Sequence, residues 1–132
     1  MTTGLLLAAL AVLLGCARST VPSAHAGTHG SRPTEKIRLD LSALDEDGLY
    51  GPADGLRGLH YEFCIPATAA HAAEVRAIDP SVGVLPSSPG RIGCGEGRHL
   101  CVGSTHQSDF RRVLLRLARL PYIDRIEPSF AE

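Results

Sequence analysis

An α+β domain is predicted by three observations. Residues 59–66 alternate apolar and polar side chains, which is the period of a strand with one buried face. Residues 68–79 and 110–117 carry apolar positions at helical spacing. Short apolar runs with strand-like patterning, bounded by Gly and Pro, separate and follow these helices.

Taken in order, residues 37–41 (Ile-Arg-Leu-Asp-Leu) alternate and predict a first half-buried strand. Asp45-Glu46-Asp47-Gly48, Gly51-Pro52 and Asp54-Gly55 are turn signals. The acidic residues lack the alternating ligands and distant Glu of a calcium loop, so a solvated turn is expected there. In residues 59–66, Leu59, Tyr61, Phe63 and Ile65 point one way and His60, Glu62 and Cys64 the other. Thr68 is placed to cap a helix whose apolar side is Ala72, Val75 and Ile78. Asp79-Pro80 ends it, because the residue before proline is pushed out of the helical region. Residues 81–85 make a short strand, and 86–97 a Gly- and Pro-rich connection. Residues 98–105 make the next strand, with Leu100 and Val102 expected on the helix side and His99 and Cys101 on the other. Ser108-Asp109 are placed to cap a strongly amphipathic helix. Its Phe110, Val113, Leu114 and Leu117 fall at i, i+3, i+4 and i+7, with Arg111, Arg112, Arg116 and Arg119 outside. Residues 122–130 read as a last strand.

From residue 59 onward the order is strand, helix, strand, strand, helix, strand. That βαββαβ order is the split pattern of ferredoxin-like topology, with two helices on one face of a four-stranded antiparallel sheet and the first and third strands central. The topology hosts many functions and assigns none.

Residues 5–14 form an unbroken apolar run, too short to cross a bilayer and suited to the apolar region of a signal peptide. Leu13-Leu14-Gly15-Cys16, at the end of the run, resembles the lipobox of bacterial lipoproteins. The resemblance implies cleavage before Cys16, acylation of its thiol, and a membrane-anchored place in the cell envelope, facing the periplasm or the exterior. Met1-Thr2-Thr3-Gly4 departs from that pattern in carrying no Lys or Arg. The chain then divides into a signal peptide (1–15), a flexible tether (16–36) and one small α+β domain (37–132). The tether is poor in large apolar residues and holds His25 and His29, read as solvated.

The formal net charge of −1 argues against a nucleic-acid partner. The partners expected are the membrane, through the lipid on Cys16, and an envelope protein. Three cysteines remain after Cys16, so an oxidising compartment allows one internal disulfide. Cys94–Cys101 closes a short loop with Gly95 and Gly97 inside it and is the pairing expected. Cys64–Cys101 is the competing one, between neighbouring strands. By the strand parity above, His60, Glu62, Cys64, His99 and Cys101 share the open sheet face, and these are donors suited to zinc or copper. They are scattered, with no paired short motif, so no cofactor is the preferred reading and metal-binding or thiol-redox chemistry the alternative. Ser104, Thr105, His106 and Ser108 precede a helix and are read as capping residues rather than a catalytic group. The chain is thus expected to be a non-enzymatic binding or interaction domain. Finally, Tyr61-Glu62-Phe63-Cys64-Ile65-Pro66, Gly90-Arg91-Ile92-Gly93-Cys94 and Gly103-Ser104-Thr105-His106-Gln107 resemble a family of uncharacterised bacterial proteins, a resemblance that implies no activity.

Overall fold

The structure, a computed structural model, describes residues 30–130. A short helix α1 (Pro33–Lys36) and a 3-10 turn (Leu41–Ala43) lead into a two-stranded hairpin, β1 (Leu49–Tyr50) with β2 (Arg57–Gly58). The main body follows as β3 (His60–Pro66), α2 (Ala69–Ile78), β4 (Gly83–Leu85), β5 (Arg98–Ser104), α3 (Phe110–Ala118) and β6 (Glu127–Ser129). The fold is α+β, with a four-stranded sheet in the order β4-β5-β3-β6 and every neighbouring pair antiparallel.

The core lies between the sheet and the helices. Tyr61, Phe63 and Ile65 on β3 cluster with Ala72 and Val75 of α2 and with Phe110, Val113, Leu114 and Leu117 of α3. This is the face that the alternation in β3 and the helical stripe of α3 predict. Thr68 caps α2, its hydroxyl accepting the His71 N–H at 3.2 Å. Asp109 precedes α3 in the left-handed region at φ 58° and makes no side-chain cap; its carboxylate pairs with Arg112 instead. Such a conformation is tolerated by Asp better than by most residues.

Three expectations are corrected. Residues 37–41 form no strand: Ile37 makes a single parallel bridge with Ile126 before the 3-10 turn begins. The last strand is shorter than 122–130, since the preceding segment uses Ile123 and Ile126 as core side chains. Most consequential, β5 has the opposite phase. Phe63 lies across from Cys101, and Tyr61 across from Gly103. Directly opposed residues share a face, so Cys101 points at the helices and Leu100 and Val102 away. The physical reason is Gly103. A Cβ there would sit 2.6 Å from the buried Tyr61 ring and 2.7 Å from the Asp79 carboxylate. Only glycine fits beneath that ring, and in a strand one glycine fixes the parity of every neighbour.

Residues 33–36, at the end of the expected tether, fold as α1. The Lys36 ammonium donates to the Leu120 carbonyl at 3.1 Å, and Arg111 donates to the Leu41 and Leu44 carbonyls at 3.1 Å each. The chain therefore enters the domain alongside α3.

Candidate functional site: a stapled segment across the sheet

The sheet face away from the helices is covered by the connection between β4 and β5. Two buried residues there, Leu100 on β5 and Ile92 on the connection, lie outside the main core cluster. Glu62 projects from β3 into this second layer and is 3% exposed. Its carboxylate accepts the Ile92 N–H at 2.5 Å. From the other side, the Arg125 guanidinium donates to the Ile92 carbonyl at 2.6 Å. Ile92 thus has both backbone groups held and its side chain buried. Gly90 stands at φ +60°, and a Cβ there would come within 2.6 Å of Leu100 and 3.1 Å of the Glu62 carboxylate.

A disulfide between Cys64 and Cys94 ties the segment to β3, with a Cα–Cα distance of 5.5 Å. The expected Cys94–Cys101 pairing is overturned, and so is its competitor Cys64–Cys101. Cys94 lies over one face of the sheet and Cys101 points out of the other, so the sheet itself stands between them. Cys101 is a fully buried free thiol. Burial pushes its pKa up to about 12, Arg76 partly opposing and Asp79 reinforcing the shift. A thiol so hard to ionise is a poor nucleophile and a poor metal ligand.

The same change of phase disperses the five donors read as a zinc or copper set. Cys64 is consumed by the disulfide. His60 is exposed at the start of β3, and Glu62 is buried against Ile92. His99 and Cys101 share the helix side, opposite Ile65 and Phe63. Among the described residues no group of three or more such donors is placed to hold a metal ion. Cys16, His25 and His29 lie outside the described residues.

Beside the disulfide is a cleft of about 170 Å³, lined by Cys64, Ile92, Arg98, Asp124 and Arg125 among others. Arg98 spans it: its guanidinium reaches the Cys64 carbonyl at 3.1 Å, the Tyr122 carbonyl at 2.6 Å and the Asp124 carboxylate at 3.1 Å. The bond to the Cys64 carbonyl falls on a stretch of β3 that β6 leaves unpaired, since β6 pairs only with His60, Tyr61 and Glu62. A second cleft of about 380 Å³ opens beside Cys94, between Ser87, Ser88, Glu96 and His99. One half of the disulfide, Cys64, therefore lines the first cleft and the other half, Cys94, the second.

On the helix side, Asp79 is fully buried and anchors a polar network. The Tyr61 hydroxyl donates to one carboxylate oxygen. Ser81 donates to the other through its backbone at 2.9 Å and its hydroxyl at 2.7 Å. Gln107 donates to that same oxygen at 3.0 Å and to the Ser104 carbonyl at 2.7 Å. Burial, then the neighbouring Asp79 charge and the bond to it, raise the Tyr61 pKa well above the usual phenol range. Two residues before Gln107, Thr105 donates to the Gly48 carbonyl at 2.6 Å and accepts the Leu59 N–H at 2.9 Å, closing the β1–β2 hairpin onto the sheet. Thr105 and Gln107 thus act as structural clasps, a role beyond the helix capping expected of this stretch. The Thr68 hydroxyl lies 2.6 Å from His71 Nδ1, but the pair is exposed and forms the N-cap of α2.

The three sequence words that resemble an uncharacterised family meet in space: Cys64 with Cys94, Glu62 with Ile92, Tyr61 with Gly103 and Gln107. Sequence reasoning missed Arg98, Asp124 and Arg125 as cleft residues, since each lies far in the chain from what it touches. Comparison with known proteins returned no matching family model, no matching curated protein and no matching solved structure.

Proposed function

We propose that this chain is an exported, lipid-anchored protein of the cell envelope whose small α+β domain serves as a non-enzymatic binding module. The observation that carries the reading is the Cys64–Cys94 disulfide, in a chain whose first residues read as an export signal. Disulfides persist in oxidising compartments outside the cytosol. The Leu13-Leu14-Gly15-Cys16 string that ends the apolar run marks Cys16 as the acylated residue. Two acyl chains make anchoring stable where one does not, since each buried methylene contributes about 0.8 kcal/mol.

The binding surface proposed is the cleft beside the disulfide. Arg98 and Arg125 line it with positive charge, and the staple fixes its walls. Preorganised walls reduce the entropy lost on binding. An envelope protein is the kind of partner expected. The strand order β4-β5-β3-β6 supports a ferredoxin-like βαββαβ unit preceded by a small hairpin.

The test is metabolic labelling with a fatty-acid analogue, followed by fractionation. The wild-type chain is expected to carry the label and to remain with membranes, and Cys16→Ser to lose both properties. A wild-type protein recovered soluble, unlabelled and beginning at another residue would contradict the proposal.

A further inference from the structure

We propose that the solvent side of α3 docks onto anionic phospholipid headgroups, an inference that rests on the lipid anchor at Cys16. Arg112, Arg116 and Arg119 recur at i, i+4 and i+7 and are exposed. Residues so spaced lie on one line along a helix, where like charges repel one another. Arg112 is paired with Asp109, and Arg111 is turned inward onto the Leu41 and Leu44 carbonyls. The side chains of Arg116 and Arg119 have no hydrogen-bond or ion-pair partner among the described residues. Glu74 of the adjoining α2 accepts the Tyr122 hydroxyl at 2.5 Å.

Two further observations point this cationic line at a membrane. The first is where the anchor joins the domain. α1 packs against α3, and Lys36 bonds the Leu120 carbonyl just past the end of α3. Cys16 is 14 residues before Gly30, so even a fully extended chain spans at most about 50 Å between them. The second is an apolar groove of about 410 Å³ beside the same helix, lined by Ile37, Leu39, Leu41 and Leu115, with Arg111 at its side. Apolar surface on the helix that also carries the exposed Arg116 and Arg119 matches a headgroup layer above acyl chains. A basic surface beside a lipid anchor adds to the anchor's hold and orients the domain, leaving the disulfide side of the sheet facing away from the bilayer.

The test uses the processed chain, residues 16–132 with Cys16→Ser, so that no acyl group contributes. It is sedimented with vesicles of phosphatidylcholine alone and of phosphatidylcholine with phosphatidylglycerol in equal parts. Binding is expected only to the second, weakening as salt screens the charges. Arg116→Glu with Arg119→Glu should weaken it at least about tenfold at an unchanged thermal midpoint, while the paired Lys variants keep it. If the reversed variant loses its thermal transition, Arg116→Gln with Arg119→Gln replaces it, and the same weakening is expected. Absence of binding to either vesicle, equal binding to both, or a charge-altered variant that binds like its parent would overturn the inference. The acylation of Cys16 is decided separately by the fatty-acid label, so the two readings fail independently.

Discussion

Glu62 shows how a single side chain organises the second layer of this domain. Its carboxylate is buried and spent on the Ile92 N–H, so Glu62→Ala leaves a buried donor unpaired. The expected loss is about 1–3 kcal/mol, measured by denaturant unfolding with the disulfide intact. Gly103→Ala is expected to be worse than an ordinary strand substitution, because its Cβ enters the space of the Tyr61 ring and the Asp79 carboxylate. Cys101 makes a pH-dependent prediction. Its thiol ionises near 9 in the unfolded chain and near 12 when folded. The folded state therefore holds its proton more tightly. That contribution is complete below pH 9 and lost as pH rises from 9 towards 12. Stability measured over that range should fall, and Cys101→Ala should flatten part of the decline. The raised pKa values of Tyr61 and Tyr122 act in the same direction and remain in the variant.

The elements differ in how plainly the sequence announces them. α3 was legible because one stripe decides its burial: Phe110, Val113, Leu114 and Leu117 are buried while Arg112, Arg116 and Arg119 are exposed. Leu117→Asp should accordingly abolish the folded state, placing a charge in a core with total stability of about 5–15 kcal/mol, while Arg116→Glu should leave the thermal midpoint unchanged. β3 was equally legible in phase. β5 was not, because Leu100 and Cys101 are both buried, one on each face, so alternation gives no preference. Its phase is set by the close approach of Tyr61 to Gly103, a long-range contact with no local signature. The site was misread for the same reason. Parity assigned from β5 alone put His99 and Cys101 beside Cys64, and a shift of one residue removed the whole donor set.

At the scale of the molecule, the connection between β4 and β5 is a second wall of the domain rather than a loose link. It converts an open sheet into one covered on both sides, through Glu62, Ile92, Arg125 and the Cys64–Cys94 bond. A disulfide spanning 30 residues is expected to stabilise by about 3–4 kcal/mol through the unfolded chain. Replacing both cysteines by Ser should lower stability by about that amount in denaturant titration, without abolishing the helix-side core. No spacing rule distinguished this pairing from the other two, since it depends on which face of the sheet the segment crosses. The most direct test is mass spectrometry of a non-reduced tryptic digest of the protein recovered from cells after thiols are blocked. Cuts at Arg76, Arg91 and Arg98 place the three cysteines in separate peptides. A peptide holding Cys64 joined to one holding Cys94, with Cys101 free, is the predicted result. A bridge to Cys101 would contradict the stapled fold, and three cysteines recovered reduced would contradict both that fold and the oxidising compartment inferred from it.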